Sequence, residues 1–350
     1  MIKLLIVDDS TVSQKFLTYL FSRESDIRVV ATAKNGTEAI EFAELHKPDV
    51  ISMDIHMPGM SGFETTRKIM ETNPIPIVIV SGISNVKDVA IAFQAIEAGA
   101  LATVAKPESF VQPEFEIKAR ELIQTIRLMS EIKTVRRWPE KVKSKVNIDK
   151  ESIDLKTSIL PNYGKIKVVA IGASTGGPSA IQEILSGLRK DIKVPILITQ
   201  HMSAGFEHGF ADWLTNVTGM PVKIGENGEL PLHGHVYISP TESNMGISHF
   251  GSILLTPRDP LQPICPAVSF LFSTVAEFYC NLSIGIILTG MGSDGSKELK
   301  LMRNRGAITI AQNEASCVVF GMPKEAINHG SATNIMNLQE IAFFINSTIN

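Results

Sequence analysis

Short runs of apolar, mostly β-branched residues alternate with stretches of helical periodicity in the first third of the chain. The runs KLLIVDD, IRVVATA, VISMDI, PIVIVSG and ATVAKP indicate strands, while TVSQKFLTYLFS and NGTEAIEFAELH place apolar residues at helical spacing. Such alternation favours a doubly wound parallel sheet, in which ligands bind beyond the carboxyl ends of the strands. The pattern predicts an α/β domain over residues 1–125.

The next segment differs in pattern and charge. Pro113–Arg137 has the spacing of one amphipathic helix, whereas 138–164 lacks a clean period and is interrupted by prolines, so we predict a helical extension and linker over 126–164. Residues 133–150 carry seven basic and two acidic side chains. This basic stretch is either a solvated linker or a docking segment for an acidic partner.

Strands and helices alternate again after the linker. The runs IKVVAIG, VPILITQ and SIGIILTG each end in polar or glycine residues. We therefore predict a second α/β domain over residues 165–350, built in three layers with helices on both faces of a mainly parallel sheet.

Composition narrows the class of protein. The chain has 350 residues, 44% hydrophobic and 20% charged, which suits two globular domains. A net charge of −3 gives no general attraction to nucleic acids or anionic lipids, and no run of 18 apolar residues suggests membrane insertion. Without a signal peptide, and with three scattered cysteines that we predict to be buried free thiols, we expect a cytoplasmic protein.

Charged and hydroxyl side chains follow the strands of the first domain. Asp8 and Asp9 come after the first strand, Asp54 after the third and Lys106 after the fifth, and Ser81 ends the fourth. Singly, each is more often a turn, a helix cap or a solvated residue. Together at one sheet edge, the carboxylates suit Mg²⁺, and the set suits phosphoryl transfer to Asp54.

These residues lie in motifs that resemble the response-regulator receiver family, whose fold is flavodoxin-like. The motifs are DDS at 8–10, MDIHMPGMSG at 53–62, VSG at 80–82 and KP at 106–107. The resemblance implies that Asp54 accepts phosphate from a histidine kinase. It further implies that Asp9, Asp54 and the backbone carbonyl of His56 hold Mg²⁺ with support from Asp8, and that Ser81 and Lys106 contact the phosphoryl group. Receivers commonly have an aromatic residue where this chain has Thr103.

The second domain has a serine at the end of its first predicted strand. Gly172–Gly176 satisfies G-x-S-x-G, in which small residues expose the hydroxyl of Ser174 near a helix N-terminus. A dinucleotide loop would need G-x-G-x-x-G and a Walker loop a Lys followed by Ser or Thr, and both are missing here. Without partners, Ser174 could equally be a turn residue.

Two further strand ends supply such partners. His201 follows VPILITQ, and Asp294 lies shortly beyond SIGIILTG. A serine needs a base at neutral pH, and the imidazole needs a carboxylate that fixes its tautomer. The order Ser, His, Asp differs from that of the α/β hydrolases, so that fold is not predicted.

The motifs of the second domain resemble the chemotaxis protein-glutamate methylesterases. They are IGASTGGP at 171–178, TQHM at 199–202, ILTGMGSDG at 287–295 and AQNEASCVVFGMP at 311–323. The resemblance implies Ser174 as nucleophile, His201 as base and then acid, and Asp294 as orienting carboxylate. Thr175 and Met291 match positions beside the site, where backbone N–H groups would bind the oxyanion. Asn244 and Ser269 replace a histidine and an aspartate of the family.

The resemblance implies a phosphorylation-activated methylesterase that is also a glutaminase, acts on methyl-accepting chemoreceptors and is phosphorylated by a chemotaxis histidine kinase. The hydrolase would need no cofactor, and the receiver would bind Mg²⁺. Two alternatives stay open: a binding regulator without turnover, and an esterase acting on modified proteins outside chemotaxis.

Overall fold

The computed structural model describes residues 1–82, 93–107, 115–132, 166–259 and 264–349. The first domain is a five-stranded parallel sheet in the order β2-β1-β3-β4-β5. Its strands are β1 (Ile2–Val7), β2 (Ile27–Ala33), β3 (Val50–Met53), β4 (Ile77–Ser81) and β5 (Ala102–Ala105). Its helices are α1 (Thr11–Ser22), α2 (Gly36–His46), α3 (Gly62–Thr72), α4, of which 93–98 are described, and α5 (Phe115–Ser130). The predicted doubly wound sheet is confirmed.

The sheet is buried on both faces, as a parallel sheet covered by helices should be. Every residue of β3 and β4 is buried. Local side chains set where the helices begin: Ser10 caps α1, and Ser61 and Glu64 form a capping box on α3. These strands and caps fix the carboxyl edge of the sheet, where the acidic residues lie.

The helix predicted over Pro113–Arg137 ends earlier than predicted on its C-terminal side. Helix α5 ends at Ser130, and Glu131 is in a turn. Residues 113, 114 and 133–137 lie outside the described residues, as do the remaining linker residues and the basic stretch at 133–150. The amphipathic period continues past the point where the α-helical hydrogen bonding stops.

The second domain has a seven-stranded parallel sheet in the order β14-β13-β12-β6-β7-β9-β8 and an antiparallel hairpin, β10-β11. The strands are β6 (Val168–Ala173), β7 (Ile196–Gln200), β8 (Val222–Ile224), β9 (Val236–Ile238), β10 (Ser243–Ile247), β11 (Ile253–Pro257), β12 (Ser283–Ile287), β13 (Ile308–Gln312) and β14 (Asn334–Met336). The helices are α6 (Gly177–Gly187), α7 (Glu207–Thr218), α8 (Val268–Phe278), α9 (Ser296–Asn304), α10 (Met322–Asn328) and α11 (Leu338–Thr348).

Alternate residues of the central strands enter two different cores. Val169 and Ile171 of β6 pack with α6, α7 and α11, while Val168 and Ala170 pack with α8, α9 and α10. This confirms helices on both faces of a mainly parallel sheet. Among the described residues, no helix combines the length and the apolar character needed to cross a membrane.

The prediction that the three cysteines are buried is wrong. Cys265, Cys280 and Cys317 are free thiols, and each is partly exposed. All three lie in connecting segments rather than in the strands or α-helices that fill the cores.

Candidate active site and phosphoryl site

Ser174 lies on a tight turn between β6 and α6. β6 ends at Ala173 and α6 begins at Gly177, as the sequence predicts. Gly176 between them has φ +78°, and a Cβ there would come within 2.5 Å of the Val318 Cβ. Both the backbone angle and the close packing require glycine, so the small residues of the motif are explained by the turn.

Gln200 joins the backbone of Ser174 to that of His201. Its Nε2 donates to the carbonyl oxygens of both residues, at 2.8 Å each. The His201 amide in turn donates to the Ala173 carbonyl at 3.0 Å. The serine and the histidine are therefore held at the carboxyl ends of two neighbouring strands.

His201 pairs with Asp294, whose carboxylate also caps a helix. The Nε2 of His201 lies 2.9 Å from Oδ2 of Asp294. The same carboxylate accepts hydrogen bonds from the backbone amides of Val268, at 2.7 Å, and Ser269, at 3.1 Å, at the start of α8. Burial raises the pKa of Asp294, but the hydrogen bond and charge of His201 and the bonds from Ser269 and Val268 outweigh it and lower the pKa.

The loop from Gly290 to Asp294 passes directly beside the serine. A Cβ on Gly290 would lie 2.6 Å from the Ser174 Cβ, so this approach requires glycine. Met291 is 45% exposed, and Ser174 and Thr175 are both half-buried. The structure thus brings all five predicted residues of the second domain to one edge of the sheet.

Two residues that the sequence analysis did not assign also belong to this edge. Gln200 holds Ser174 and His201 together, and the buried Thr289 binds the Thr175 carbonyl through its hydroxyl at 2.9 Å. Gln200 lies in the motif TQHM and Thr289 in the motif ILTGMGSDG, and membership of these motifs was the signal that could have identified them.

Asn244 and Ser269, which the sequence analysis noted as departures from the resemblance, lie near this site. Asn244 is buried, and its Oδ1 accepts a hydrogen bond from the Ala267 amide at 2.8 Å, just before α8. Ser269 lies on the wall of a groove of about 560 Å³ that also includes Asp294, Glu277 and Glu298. Ser269 therefore lines the groove beside Asp294, and Asn244 holds the backbone of Ala267, another residue of the groove wall.

The first domain brings its predicted acidic residues together. One carboxylate oxygen each from Asp8, Asp9 and Asp54 lies within 4.8 Å of the others, and Asp8 and Asp54 are buried. Lys106 Nζ lies 2.7 Å from Asp8 and 3.1 Å from Asp54. Three oxygen ligands at a partly open edge fit Mg²⁺, which binds few protein carboxylates and keeps several waters.

Burial and neighbouring charges shift the pKa values of Asp54 and Lys106. Burial raises the pKa of Asp54, with a contribution from Asp8 and against the effect of Lys106. Burial would lower the pKa of Lys106, but the charges of Asp54 and Asp8 outweigh it and raise the pKa. The ammonium is thus held charged beside the two carboxylates.

The remaining predicted residues of the first domain lie on the same edge. Ser81 is the last residue of β4 and is buried. His56 is on the β3–α3 loop, two residues beyond Asp54, and its side chain is exposed. Thr103, which the sequence analysis noted in place of an aromatic residue, is in β5, paired with Ile79 and half-buried.

Among the described residues, an aromatic cluster and two hydrogen bonds join the domains. Phe93 of α4 is buried, stacks on Trp213 at 5.3 Å and also packs against Phe206 and Phe210. Trp213 Nε1 donates to Glu97 at 3.0 Å.

The second bond lies close to His201. Ser203, two residues beyond His201, donates a hydrogen bond through its Oγ to Glu121 of α5 at 3.0 Å. Burial raises the pKa of Glu121, against the effects of Ser203 and Lys118. Val318, beside the Ser174 turn, packs against the core of the first domain. The first domain therefore borders the edge that carries Ser174.

Comparison with known proteins gives one consistent result. A family model described as CheB methylesterase matches residues 169–345, and one described as response regulator receiver domain matches 4–113. A protein-glutamate methylesterase/protein-glutamine glutaminase of Nitrosospira multiformis is 46% identical over 98% of this chain and 95% of its own length. One of Salmonella typhi is 34% identical over 97% and 95%.

A solved structure agrees for the second domain. The CheB methylesterase catalytic domain of Thermotoga maritima is 35% identical, with a TM-score of 0.51 over 53% of this chain and all of that one. Since relatives align along nearly the whole chain and the methylesterase model covers half of it, the chain belongs to the CheB methylesterase family, with a response regulator receiver domain ahead of the methylesterase domain.

Proposed function

We propose that the chain is a phosphorylation-activated serine hydrolase that removes methyl esters from glutamyl side chains of methyl-accepting chemoreceptors and deamidates their glutamines. One observation carries the proposal: Ser174 stands on a strand-to-helix turn tied by Gln200 to His201, whose ring pairs with Asp294 at 2.9 Å. The names of the relatives support the two reactions.

The chemistry follows from these groups. His201 takes the hydroxyl proton as Ser174 Oγ bonds to the ester carbonyl carbon, and backbone N–H groups near Ser174 and Met291 stabilise the oxyanion. Collapse breaks the bond to the methoxy oxygen, which leaves as methanol with the proton from His201. Water then attacks the acyl-enzyme with His201 as base and releases glutamate. An amide substrate would follow the same course and release ammonia.

The substrate is tested on chemoreceptor membranes. Methylated receptors are incubated with the protein and a small-molecule phosphodonor, and their peptides are compared by mass spectrometry with membranes kept without protein. We expect loss of glutamyl methyl esters and conversion of specific glutamines to glutamates. Retention of every ester would contradict the proposal, and capture of receptors without loss of esters would favour a binding regulator. Turnover confined to other methylated proteins would favour an esterase outside chemotaxis.

Phosphate at Asp54 would act as the switch, with a chemotaxis histidine kinase as the physiological donor. Asp8, Asp9 and Asp54, with the carbonyl of His56, are the residues that would hold Mg²⁺, which would offset the negative charge of the incoming phosphoryl group. Lys106 adds a fixed positive charge within 3.1 Å of Asp54, and Ser81 would donate to a phosphoryl oxygen. The switch would act on the contacts between the domains.

Asp54→Asn should abolish activation by a phosphodonor. The amide cannot form the acyl phosphate, so the donor should raise wild-type methanol release about 5- to 150-fold and leave the variant at its basal rate. Asp49→Asn is the matched control, because Asp49 precedes β3 at the opposite end from Asp54. Equal activation of Asp54→Asn and wild type would show that Asp54 is not the phosphoacceptor.

Phe93→Ala should raise activity without a phosphodonor. If the receiver restricts access to Ser174 before phosphorylation, then loss of the Phe93 ring from its aromatic pocket should weaken the contact and increase basal methanol release about tenfold. Phe42→Ala is the control, since Phe42 lies on α2 and contacts His46 of the same helix. An unchanged basal rate in Phe93→Ala would contradict an inhibitory role for this contact.

A further inference from the structure

The side chain of Thr289 is buried where three segments meet, two residues beyond β12. Its backbone carbonyl accepts the amide hydrogen of Ser174 at 3.0 Å. Its hydroxyl accepts from the Val319 amide at 2.9 Å, and it has two acceptors for its one proton, the Thr175 carbonyl at 2.9 Å and the Val319 carbonyl at 3.2 Å, of which the Thr175 contact is the shorter. One residue thus binds the amide of the proposed nucleophile, the carbonyl of the next residue and a separate loop.

The loop held by this hydroxyl lies against the nucleophile turn. Val318 fills the space beside Gly176, and the Gly290 amide donates to the Val319 carbonyl at 3.0 Å. Val318 and Val319 also pack against the core of the receiver domain. The hydroxyl therefore ties the Ser174–Gly176 turn to a loop that is supported on its other side by the receiver.

The backbone partners of the hydroxyl explain why a threonine is suited to this position. The Thr175 carbonyl and the Val319 amide belong to different segments, and a hydroxyl can accept from one while donating to the other. A methyl group in its place could do neither, and it would leave two partly buried backbone groups without these bonds. The turn would then lose a direct constraint on the backbone of Thr175.

We propose that the Thr289 hydroxyl is a positioning group that holds the Ser174 turn in its reactive geometry. The inference rests on the proposed serine hydrolase function and adds a residue that neither touches substrate nor exchanges protons. A displacement of about 1 Å in a reacting group can cost about 100-fold in rate, so loss of this constraint acts on turnover rather than on substrate binding.

The test compares two substitutions at Thr289 in the full-length protein. Thr289→Val keeps the shape and removes the hydroxyl, whereas Thr289→Ser keeps the hydroxyl. Thr309→Val is the matched control, because the buried Thr309 hydroxyl likewise donates to a carbonyl, that of Ser331 at 2.7 Å, and accepts from an amide, that of Thr333 at 3.1 Å. Thr309 is in β13, one strand removed from β6 across β12.

Two readouts separate positioning from folding and from substrate choice. The first is the kcat and KM of methanol release from methylated receptor membranes. The second is the rate at which a fluorophosphonate labels Ser174: Oγ bonds to phosphorus, fluoride leaves, and His201 takes the hydroxyl proton. Circular dichroism and the thermal midpoint report folding for each variant.

Thr289→Val should lower kcat and the labelling rate about 10- to 100-fold with KM changed less than about threefold. Thr289→Ser and Thr309→Val should stay within about threefold of wild type in both rates. Equal rates for Thr289→Val and wild type, or an equal loss in Thr309→Val, would overturn the positioning role. If the wild type labels but releases no methanol, and Thr289→Val still labels slowly, the positioning role stands while the proposed substrate fails.

Discussion

Replacing Ser174 with alanine should lower methanol release by at least about 10³-fold, to a rate set by residual electrostatic stabilisation in the site. The variant keeps His201, Asp294 and the turn, so a water molecule would have to attack the ester directly. Replacement of the hydroxyl with a hydrogen should change stability little, because Ser174 is only half-buried. The measurement is single-turnover methanol release, which reports chemistry separately from product dissociation.

Ser186→Ala is the matched control for this prediction. Ser186 is an exposed serine near the other end of α6, where its hydroxyl accepts from Gln182 at 3.3 Å. It should release methanol at the wild-type rate. Activity of Ser174→Ala within about tenfold of this control would exclude Ser174 as the nucleophile.

Asp294→Asn should lower kcat by about 10⁴-fold while the protein stays folded. The carboxylate accepts from Nε2 of His201, so it fixes the tautomer in which Nδ1 is the unprotonated base. An asparagine amide can turn its NH₂ towards this nitrogen and favour the opposite tautomer. Steady-state kinetics should therefore show a fall in kcat with little change in KM.

The same substitution should also cost stability, because Asp294 caps α8. Loss of charge at the amides of Val268 and Ser269 should reduce the free energy of unfolding by about 1–3 kcal/mol near neutral pH, measured by urea denaturation. The folded pKa lies below the ordinary value of 3.8, so this contribution is complete above that pH and disappears as the pH falls through the lowered pKa. Wild type and variant should then converge in strong acid.

Asp212→Asn serves as the control for both effects, since Asp212 is an exposed carboxylate on α7. It should match the wild type in kcat and in unfolding free energy. A kcat of Asp294→Asn within about tenfold of this control would show that His201 does not depend on Asp294.

The strand ends were the part of the molecule that the sequence could predict best. Asp8, Asp54 and Ser174 each follow a largely apolar strand, and parallel strands bring such ends to one edge whatever the details of packing. The juxtaposition of His201 and Asp294 followed from the same rule. Their proposed roles rest further on the family motifs.

Side-chain bonds to distant backbone groups were not predictable in this way. Gln200 binds the carbonyl of Ser174, and Asp294 binds the amides of Val268 and Ser269, 26 and 25 residues away in sequence. Hydrophobic periodicity reports which face of an element is buried, but it does not report which carbonyl or amide lies opposite a polar side chain. The packing of Phe93 against Trp213 was unpredictable for a similar reason. The sequence indicates that Phe93 is apolar, but it does not indicate whether the ring packs within its own domain or against the other domain.

The aromatic pocket around Phe93 would favour reassociation of the two domains after a signal. Parting of the two domains would expose to water the buried Phe93 ring and the surfaces that it covers on its three aromatic neighbours, which is unfavourable. The separated form would thus hold a thermodynamic drive to close again. If phosphate at Asp54 is the switch, as proposed, its hydrolysis would then be sufficient to restore the closed arrangement, and the duration of activity would be set by the lifetime of the acyl phosphate.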